Sequence, residues 1–205
     1  MRFGANKALY PLRGKPILLW SLEKFSKLVD EVVVTYSKEE ERSFVSAISS
    51  FHNVKLISGG ETRFDSVRKG FDSISDEGIV LIHDAARPVV STNLIEIILQ
   101  SLEHNRAVIP VIPVTDTVKE VNADRIVRTI ERQRLGLAQT PQGFHTSVLA
   151  DAYARVQNRE VTDEAMLIEL AGIEVFFVLG ETSNLKITEP SDIALAEFYL
   201  REKEY

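Results

Sequence analysis

Residues 78–88 read Gly78-Ile79-Val80-Leu81-Ile82-His83-Asp84-Ala85-Ala86-Arg87-Pro88. A short apolar run passes into a charged loop whose exit is stiffened by Pro88. Such a run, too short for a helix and rich in β-branched side chains, reads as a strand. The form recurs along the chain. Val32-Val33-Val34-Thr35-Tyr36, led in by Asp30-Glu31, reads as a strand buried on both faces. Val54-Lys55-Leu56-Ile57 and Ala107-Val108-Ile109-Pro110-Val111-Ile112 are two more. Between them lie helical periods carried by Leu18, Leu22, Phe25 and Val29, by Phe44, Val45 and Ile48, and by Val67, Phe71 and Ile74. A fourth face holds Leu94, Ile97, Ile98 and Leu102, with Ser91 or Thr92 placed to cap its helix. This alternation predicts an α/β fold, a mostly parallel sheet with helices on both faces.

The 205 residues fit one domain, 1–205, large enough to bury about 70% of the unfolded surface. With 44% hydrophobic and 26% charged residues, the composition is globular rather than disordered. Lys and Arg number 24 against 30 Asp and Glu, and the net charge of −6 argues against general nucleic-acid affinity. There are no cysteines, which excludes disulfides, thiolate zinc sites and cysteine nucleophiles and fits a reducing compartment. No run of 18 apolar residues occurs, and the first residues carry no signal-peptide core. A cytoplasmic protein with no membrane partner is the expectation.

Two places break the rhythm. Residues 115–139 show no helical face but alternate, in Thr117-Val118-Lys119-Glu120-Val121 and Ile126-Val127-Arg128-Thr129-Ile130, around the turn signal Asn122-Ala123-Asp124. This is a β-hairpin arm with little core of its own, and a second copy of the chain is the most economical thing for it to lean on. The other break is the beginning, where Met1-Arg2-Phe3-Gly4 enters loop chemistry with no strand before it.

In a parallel sheet, ligands collect at the carboxyl ends of the strands, so polar residues placed there carry more weight than others. Three stretches qualify: Ser58-Gly59-Gly60-Glu61-Thr62-Arg63, His83-Asp84-Ala85-Ala86-Arg87-Pro88, and Asn184-Leu185-Lys186-Ile187-Thr188 before a helix opened by Pro190. Each has a plain structural alternative. Gly59-Gly60 alone is a turn, Asp84 alone a cap or a partner of Arg87, and Lys186 alone a solvated lysine. His83 suits a hydrogen-bonded strand end better than a base, and His52, His104 and His145 lack metal-ligand spacing. The collection favours chemistry: in an acidic chain, Arg2, Lys7, Arg63, Arg87, Arg132 and Lys186 fall in loops or the arm, which suits a polyanionic phosphate. No serine–histidine–acid order is present, and acyl chemistry is set aside.

Taken together, the motifs resemble those of the 2-C-methyl-D-erythritol 4-phosphate cytidylyltransferases. The matching stretches are Lys7-Ala8-Leu9, Gly14-Lys15-Pro16-Ile17, Gly59-Gly60-Glu61-Thr62-Arg63 and Asp65-Ser66-Val67. They continue with His83-Asp84-Ala85-Ala86-Arg87-Pro88, Pro113-Val114-Thr115-Asp116-Thr117-Val118-Lys119 and Gln139-Thr140-Pro141-Gln142-Gly143-Phe144. Thr162-Asp163-Glu164-Ala165 and Asn184-Leu185-Lys186-Ile187-Thr188 complete a set spanning nearly the whole chain. The resemblance implies a Rossmann-like nucleotidyltransferase fold and transfer of CMP from CTP to methylerythritol phosphate, with magnesium held mainly by the CTP phosphates and water. It implies that Arg2 and Lys7 bind the triphosphate and stabilise charge on the α-phosphate. Gly60, Glu61 and Ser66 would form the cytosine and ribose pocket, with Asp84 and Ala85 beside the nucleotide. Arg87 would lie near the acceptor, and Lys186 would hold the acceptor phosphate in line. Thr117, Arg132 and Thr140 would bind the acceptor in a partner subunit's site, which makes a homodimer through the arm part of the mechanism.

One departure stands out. Family members begin with a strand and a glycine-rich loop, Leu-Ala-Ala-Gly-x-Gly-x-Arg-Met or close to it, of which Arg2-Phe3 matches only the tail. The sequence is expected to start downstream of that strand, leaving two strand edges exposed and losing apolar burial, with a shortened loop after Arg2. Two rival readings share much of the pattern. A cytidylyltransferase for another polyol phosphate, such as ribitol 5-phosphate, would look the same in its CTP half, although Ala86 and Arg132 lean toward methylerythritol phosphate. A non-catalytic nucleotide-binding dimer would explain the absent glycine-rich loop. A receiver-type module using Asp84 as phosphoacceptor leaves the Gly59–Arg63 loop and the arm unexplained.

Overall fold

The computed structural model describes residues 6–75, 77–156 and 161–202. Near its start, a two-residue turn at Arg13 and Gly14, both with positive φ, joins strands β1 (Pro11–Leu12) and β2 (Lys15–Pro16). A glycine at the second turn position suits that left-handed backbone. Helix α1 (Ile17–Phe25) follows, then β3 (Val32–Tyr36), α2 (Glu41–Ile48), β4 (Val54–Ser58), α3 (Arg63–Asp72), β5 (Ile79–Ile82) and α4 (Thr92–Leu102). Each of the four expected strands and four expected helices is present. Ser91 is the residue that caps α4, its hydroxyl accepting from the Leu94 amide at 2.9 Å. Thr62 caps α3 in the same way, accepting from the Asp65 amide at 3.1 Å.

The helices are shorter than the apolar periods suggest. Val29 and Ile74 lie beyond the ends of α1 and α3. Val45 and Ile97 turn outward, while Phe64 and Ile95, not on the expected faces, are buried. The strand Val32–Tyr36 is fully buried only at Val34.

Strand β6 (Ala107–Pro113) leads into the arm, β7 (Val118–Asn122) and β8 (Arg125–Ile130), which pair with a bulge at Glu120/Val121 and turn through Ala123 at positive φ. Val121, Ile126 and Val127 stand largely in solvent on this hairpin. Strand β9 (Gly136–Ala138) returns to pair with β6. Strand β10 (Gln142–His145), helices α5 (Thr146–Arg155) and α6 (Glu164–Leu170), strand β11 (Phe176–Leu179) and α7 (Ser191–Glu202) complete the order.

The central sheet runs β11-β6-β10-β5. β11 is parallel to β6, whereas β10 is antiparallel to both β6 and β5 and β9 is antiparallel to β6, so three strands of the five point one way and two are reversed. Alternate residues of β6 enter different cores: Ala107 and Ile109 pack with Phe144, Leu149 and Leu167 from the α5–α6 side, and Val108 packs with Ile95 and Ile98 of α4. Helices therefore cover both faces, as alternation predicts. Gly143 is needed here, since a Cβ would stand 2.6 Å from Leu102 and 2.8 Å from Ile98.

β3 and β4 form a separate parallel pair. Among the described residues no ladder joins β3 to β5, and residues of both line a cavity of about 680 Å³. Its walls include Leu18, Leu22 and Phe25 of α1 and Val67 and Phe71 of α3. No described helix is long and apolar enough to cross a membrane.

Candidate active site

Strand β5 ends at Ile82, and the loop after it places Asp84 within reach of three cations. Lys186 Nζ lies 2.8 Å from Oδ2, Arg87 Nε 3.7 Å from the same oxygen, and Arg63 Nε 3.5 Å from Oδ1. Burial raises the Asp84 carboxyl. The hydrogen bond and charge of Lys186, with the charges of Arg63 and Arg87, outweigh burial and hold the group below the usual carboxylate range. Asp84 is thus an anion at neutral pH. It presents no proton to a reaction and serves to orient the cations around it.

Three loops meet at this point, and the backbone explains how. The Ile187 amide donates to the Ala86 carbonyl at 2.8 Å, bringing the Lys186 loop against the β5 loop. Arg87 Nη1 donates to the Asn184 carbonyl at 2.7 Å, and Asn184 Nδ2 donates to the Thr140 carbonyl at 2.9 Å. Gln139 completes the knot, donating to the Glu181 carbonyl and accepting from the Glu181 amide. Lys7 reaches the Ile187 carbonyl at 3.4 Å, placing a further cation beside the Lys186 loop. Burial lowers the Arg87 guanidinium, against the pull of Asp84, and its Nε has no hydrogen-bond partner among the described residues.

His83 belongs to the scaffold. Its Nε2 donates to the Arg87 carbonyl at 3.1 Å, which leaves Nδ1 to accept from the Thr140 hydroxyl, also at 3.1 Å. The residue as a whole is only half-buried, but both ring nitrogens are engaged, and burial pushes the ring down to about 4. A neutral, doubly bonded imidazole is a spacer rather than a base, in line with the strand-end reading.

On the other side of the cavity, the Gly59–Thr62 loop follows β4. A Cβ on Gly60 would collide with the Asp65 Cβ at 2.3 Å, so the glycine is demanded by the loop's own packing. The Gly60 amide donates to Ser66 Oγ at 3.0 Å, and Ser66 Oγ donates to the Thr62 carbonyl at 2.9 Å. Arg63, Ser66, Asp84 and Ala85 all line the same cavity, whose remaining wall is largely apolar. This geometry serves the turn reading of Gly59-Gly60. Glu61 is exposed at the tip of the loop.

The structure thus brings together Ser66, Asp84, Ala85, Arg87 and Lys186, with Gly60 and Lys7 adjoining. Arg2 lies outside the described residues. Thr117 and Arg132 are exposed in the arm and at its base, where Arg132 donates to the Thr115 carbonyl. Neither forms a hydrogen bond or ion pair with the Asp84 cluster among the described residues. Thr140, expected to reach into a partner's site, is instead buried beneath its own: it is 4% exposed, and its hydroxyl accepts from the Asp84 amide at 3.0 Å. Both hydroxyl functions are consumed by the scaffold. Sequence reasoning assigned no role to Glu164, whose carboxylate is buried against Arg63. A signal was available, since Glu164 stands three and four residues before buried Leu167 and Ile168 on one helix face.

A cluster of cations around one ionised carboxylate, beside a largely apolar cavity, can bind phosphoryl groups and fix them in line. It offers no nucleophile aligned with a base among the described residues. Among the described residues, no group of three or more His, Cys, Asp or Glu is placed to hold a metal ion.

A family model described as 2-C-methyl-D-erythritol 4-phosphate cytidylyltransferase matches residues 1–202. The chain is 41% identical over 204 residues to the protein of that name from Frankia casuarinae, covering 96% of this chain and 75% of the relative. It is 35% identical over 213 residues to the one from Halalkalibacterium halodurans, covering 100% of this chain and 92% of the relative. The crystal structure of the Thermus thermophilus protein of that name superposes with a TM-score of 0.84 at 34% identity, covering 98% of this chain and 100% of that one.

Proposed function

The chain belongs to the 2-C-methyl-D-erythritol 4-phosphate cytidylyltransferase family, and from that premise we propose how its site works. The enzyme transfers CMP from CTP to 2-C-methyl-D-erythritol 4-phosphate, giving 4-diphosphocytidyl-2-C-methyl-D-erythritol and pyrophosphate. An acceptor phosphate oxygen attacks the α-phosphorus of CTP as the bond to the β-phosphate oxygen breaks, and pyrophosphate leaves. Chemistry of this kind needs positioning and charge neutralisation more than covalent help from the protein.

The observation that carries the assignment is Lys186 held on Asp84 at 2.8 Å beside Arg87 and Arg63. Lys186 is 41% exposed in its side chain, so its ammonium can turn from Asp84 toward an arriving acceptor phosphate without leaving the cluster. Arg87 is nearly enclosed and acts near the acceptor, through the loop it pins and the positive potential it supplies. Lys7, with Arg2, neutralises the triphosphate and the charge that builds on the α-phosphate. Gly60, Glu61, Ser66, Asp84 and Ala85 receive the nucleoside, where the Gly60–Ser66 brace keeps the loop close to β4.

Magnesium fits this donor set as a guest of the nucleotide. Asp84 is the carboxylate at hand and already shares its oxygens with cations, which suits an ion that keeps its waters and takes most of its ligands from phosphates. Bound there, it would neutralise the triphosphate. The arm supports a homodimer: Val121, Ile126 and Val127 expose apolar surface on a hairpin with no core of its own. Thr117 and Arg132 on that arm would then meet acceptor in the partner subunit's site. The protein acts in the cytoplasm.

Incubation with CTP, methylerythritol phosphate and magnesium, followed by phosphorus NMR, is expected to show the new diphosphate ester and pyrophosphate appearing together. Faster turnover of ribitol 5-phosphate in a parallel reaction would reassign the acceptor. Failure to bind CTP in calorimetry would reduce the fold to a non-catalytic scaffold.

A further inference from the structure

The stretch Thr162-Asp163-Glu164 opens α6, and Asp163 explains itself. Its Oδ1 caps the helix at the Met166 amide and its Oδ2 accepts from Gln142 Nε2. Glu164 has no such duty. Its side chain is 1% exposed, and burial raises its carboxyl, against the hydrogen bonds and charge of Arg63. Its Oε1 and Oε2 accept from Nη1 and Nη2 of Arg63 at 2.9 and 2.8 Å, the paired geometry of a bidentate arginine–carboxylate contact. The pair spans 101 residues of sequence. Arg63 is the first residue of α3, next to the Gly59–Thr62 loop, and its remaining Nε edge faces Asp84 at 3.5 Å.

We propose that Glu164 is a positioning residue: by occupying both terminal nitrogens of Arg63 it keeps the guanidinium edge-on to Asp84, so that Asp84 Oδ2 stays with Lys186 and Arg87. A guanidinium released from Glu164 would turn its fork to the nearest anion, and Asp84 is that anion. A bidentate Arg63–Asp84 contact would draw the carboxylate away from Lys186, which then loses the fixed point from which it meets the acceptor phosphate. Through the same contact Glu164 ties the start of α3, and with it the nucleoside loop, to the acceptor cluster. Three cations and two carboxylates make up the group, which leaves a net positive charge facing the phosphates.

This rests on the reading of Lys186 as the acceptor's holder, and the test separates the two. Wild-type turnover with CTP and acceptor checks that reading by itself. If it holds, Glu164→Gln is expected to raise the acceptor KM and cut kcat/KM at least tenfold, with Glu164→Asp recovering part of the loss. Adding Glu164→Gln to Arg63→Gln should cost little beyond Arg63→Gln alone, because Glu164 acts only through Arg63. Removing one member of a buried pair also destabilises, so Arg63→Met with Glu164→Met serves as the second arm. Apolar replacement of both should restore the melting temperature while turnover stays low. Wild-type kinetics in this double variant, or fully additive losses for the Gln pair, would overturn the assignment and leave Glu164 as a tether for α6.

Discussion

Thr140→Val is the substitution whose cost can be worked most directly from the structure. Valine keeps the shape and removes the hydroxyl, at a position 4% exposed. Two bonds disappear. The Asp84 amide loses its acceptor at 3.0 Å and His83 Nδ1 loses its donor at 3.1 Å. A buried amide left unsatisfied costs about 1–3 kcal/mol, and the second bond contributes about 1 kcal/mol. The sum is about 2–4 kcal/mol, a sizeable part of a total stability of about 5–15 kcal/mol. Urea unfolding followed by circular dichroism, with an unchanged m-value, measures it. Thr140→Ser keeps the hydroxyl and forfeits one methyl, so it should lose about 1 kcal/mol. Because the amide being orphaned is that of Asp84, turnover should fall in Thr140→Val and hold in Thr140→Ser. Equal stability of the valine variant and wild type would refute the account of the loop knot, since no rearrangement could hide both losses.

Other outcomes follow from the same contacts. Lys186→Met should lower turnover by a factor of about 100 or more, as lost transition-state charge stabilisation does, while melting stays within a few degrees because the side chain is 41% exposed. Mixing Lys186→Ala with Arg132→Ala chains should recover up to about a quarter of wild-type activity if arms are shared between subunits; an inactive mixture with proven subunit exchange would contradict a shared site. The His83 ring, pushed down to about 4 by burial, makes stability depend on acid. The unfolded chain takes up a proton near pH 6.5 that the folded chain refuses. The contribution is whole above that pH and declines toward pH 4, by at most about 3 kcal/mol, less where cavity water screens the ring. Asp84, held below the usual range, extends the loss below pH 4. A flat stability profile between pH 7 and 5 would argue that His83 titrates normally.

The alternation of strands and amphipathic helices was legible because it reports burial that each segment carries in its own residues. Val32–Tyr36 and Ala107–Pro113 are apolar enough to speak for themselves, and Ser91 declares its cap locally. Strand β10 was not legible. Gln142 and Gly143 look like loop residues: Gly143 lies against Leu102 and Ile98, about forty residues earlier in the chain, and Gln142 is held by Asp163 and Ala165, about twenty residues later. The cations of the site could be read from their positions after strands. Thr140 could not, because nothing local says that its hydroxyl lies under Asp84. Glu164 was hidden by a sound rule, that glutamates stay in water, which fails where an arginine arrives from another element.

Among the described residues β3 and β5 share no ladder, and this has a mechanical consequence. The nucleoside loop grows from the β3–β4 pair, while Asp84 and Lys186 ride on the other part of the sheet. Among the described residues, what spans the two is side-chain packing, Phe25 with one core and Leu18 and Leu22 with another, with α3 lying across Thr35 at Gly70 and the Arg63 contacts to Asp84 and Glu164. Packed side chains yield more readily than a row of backbone hydrogen bonds. A molecule gripping both sides at once would act as a bolt across a seam, and its arrival should slow amide exchange most in the strands that border the seam.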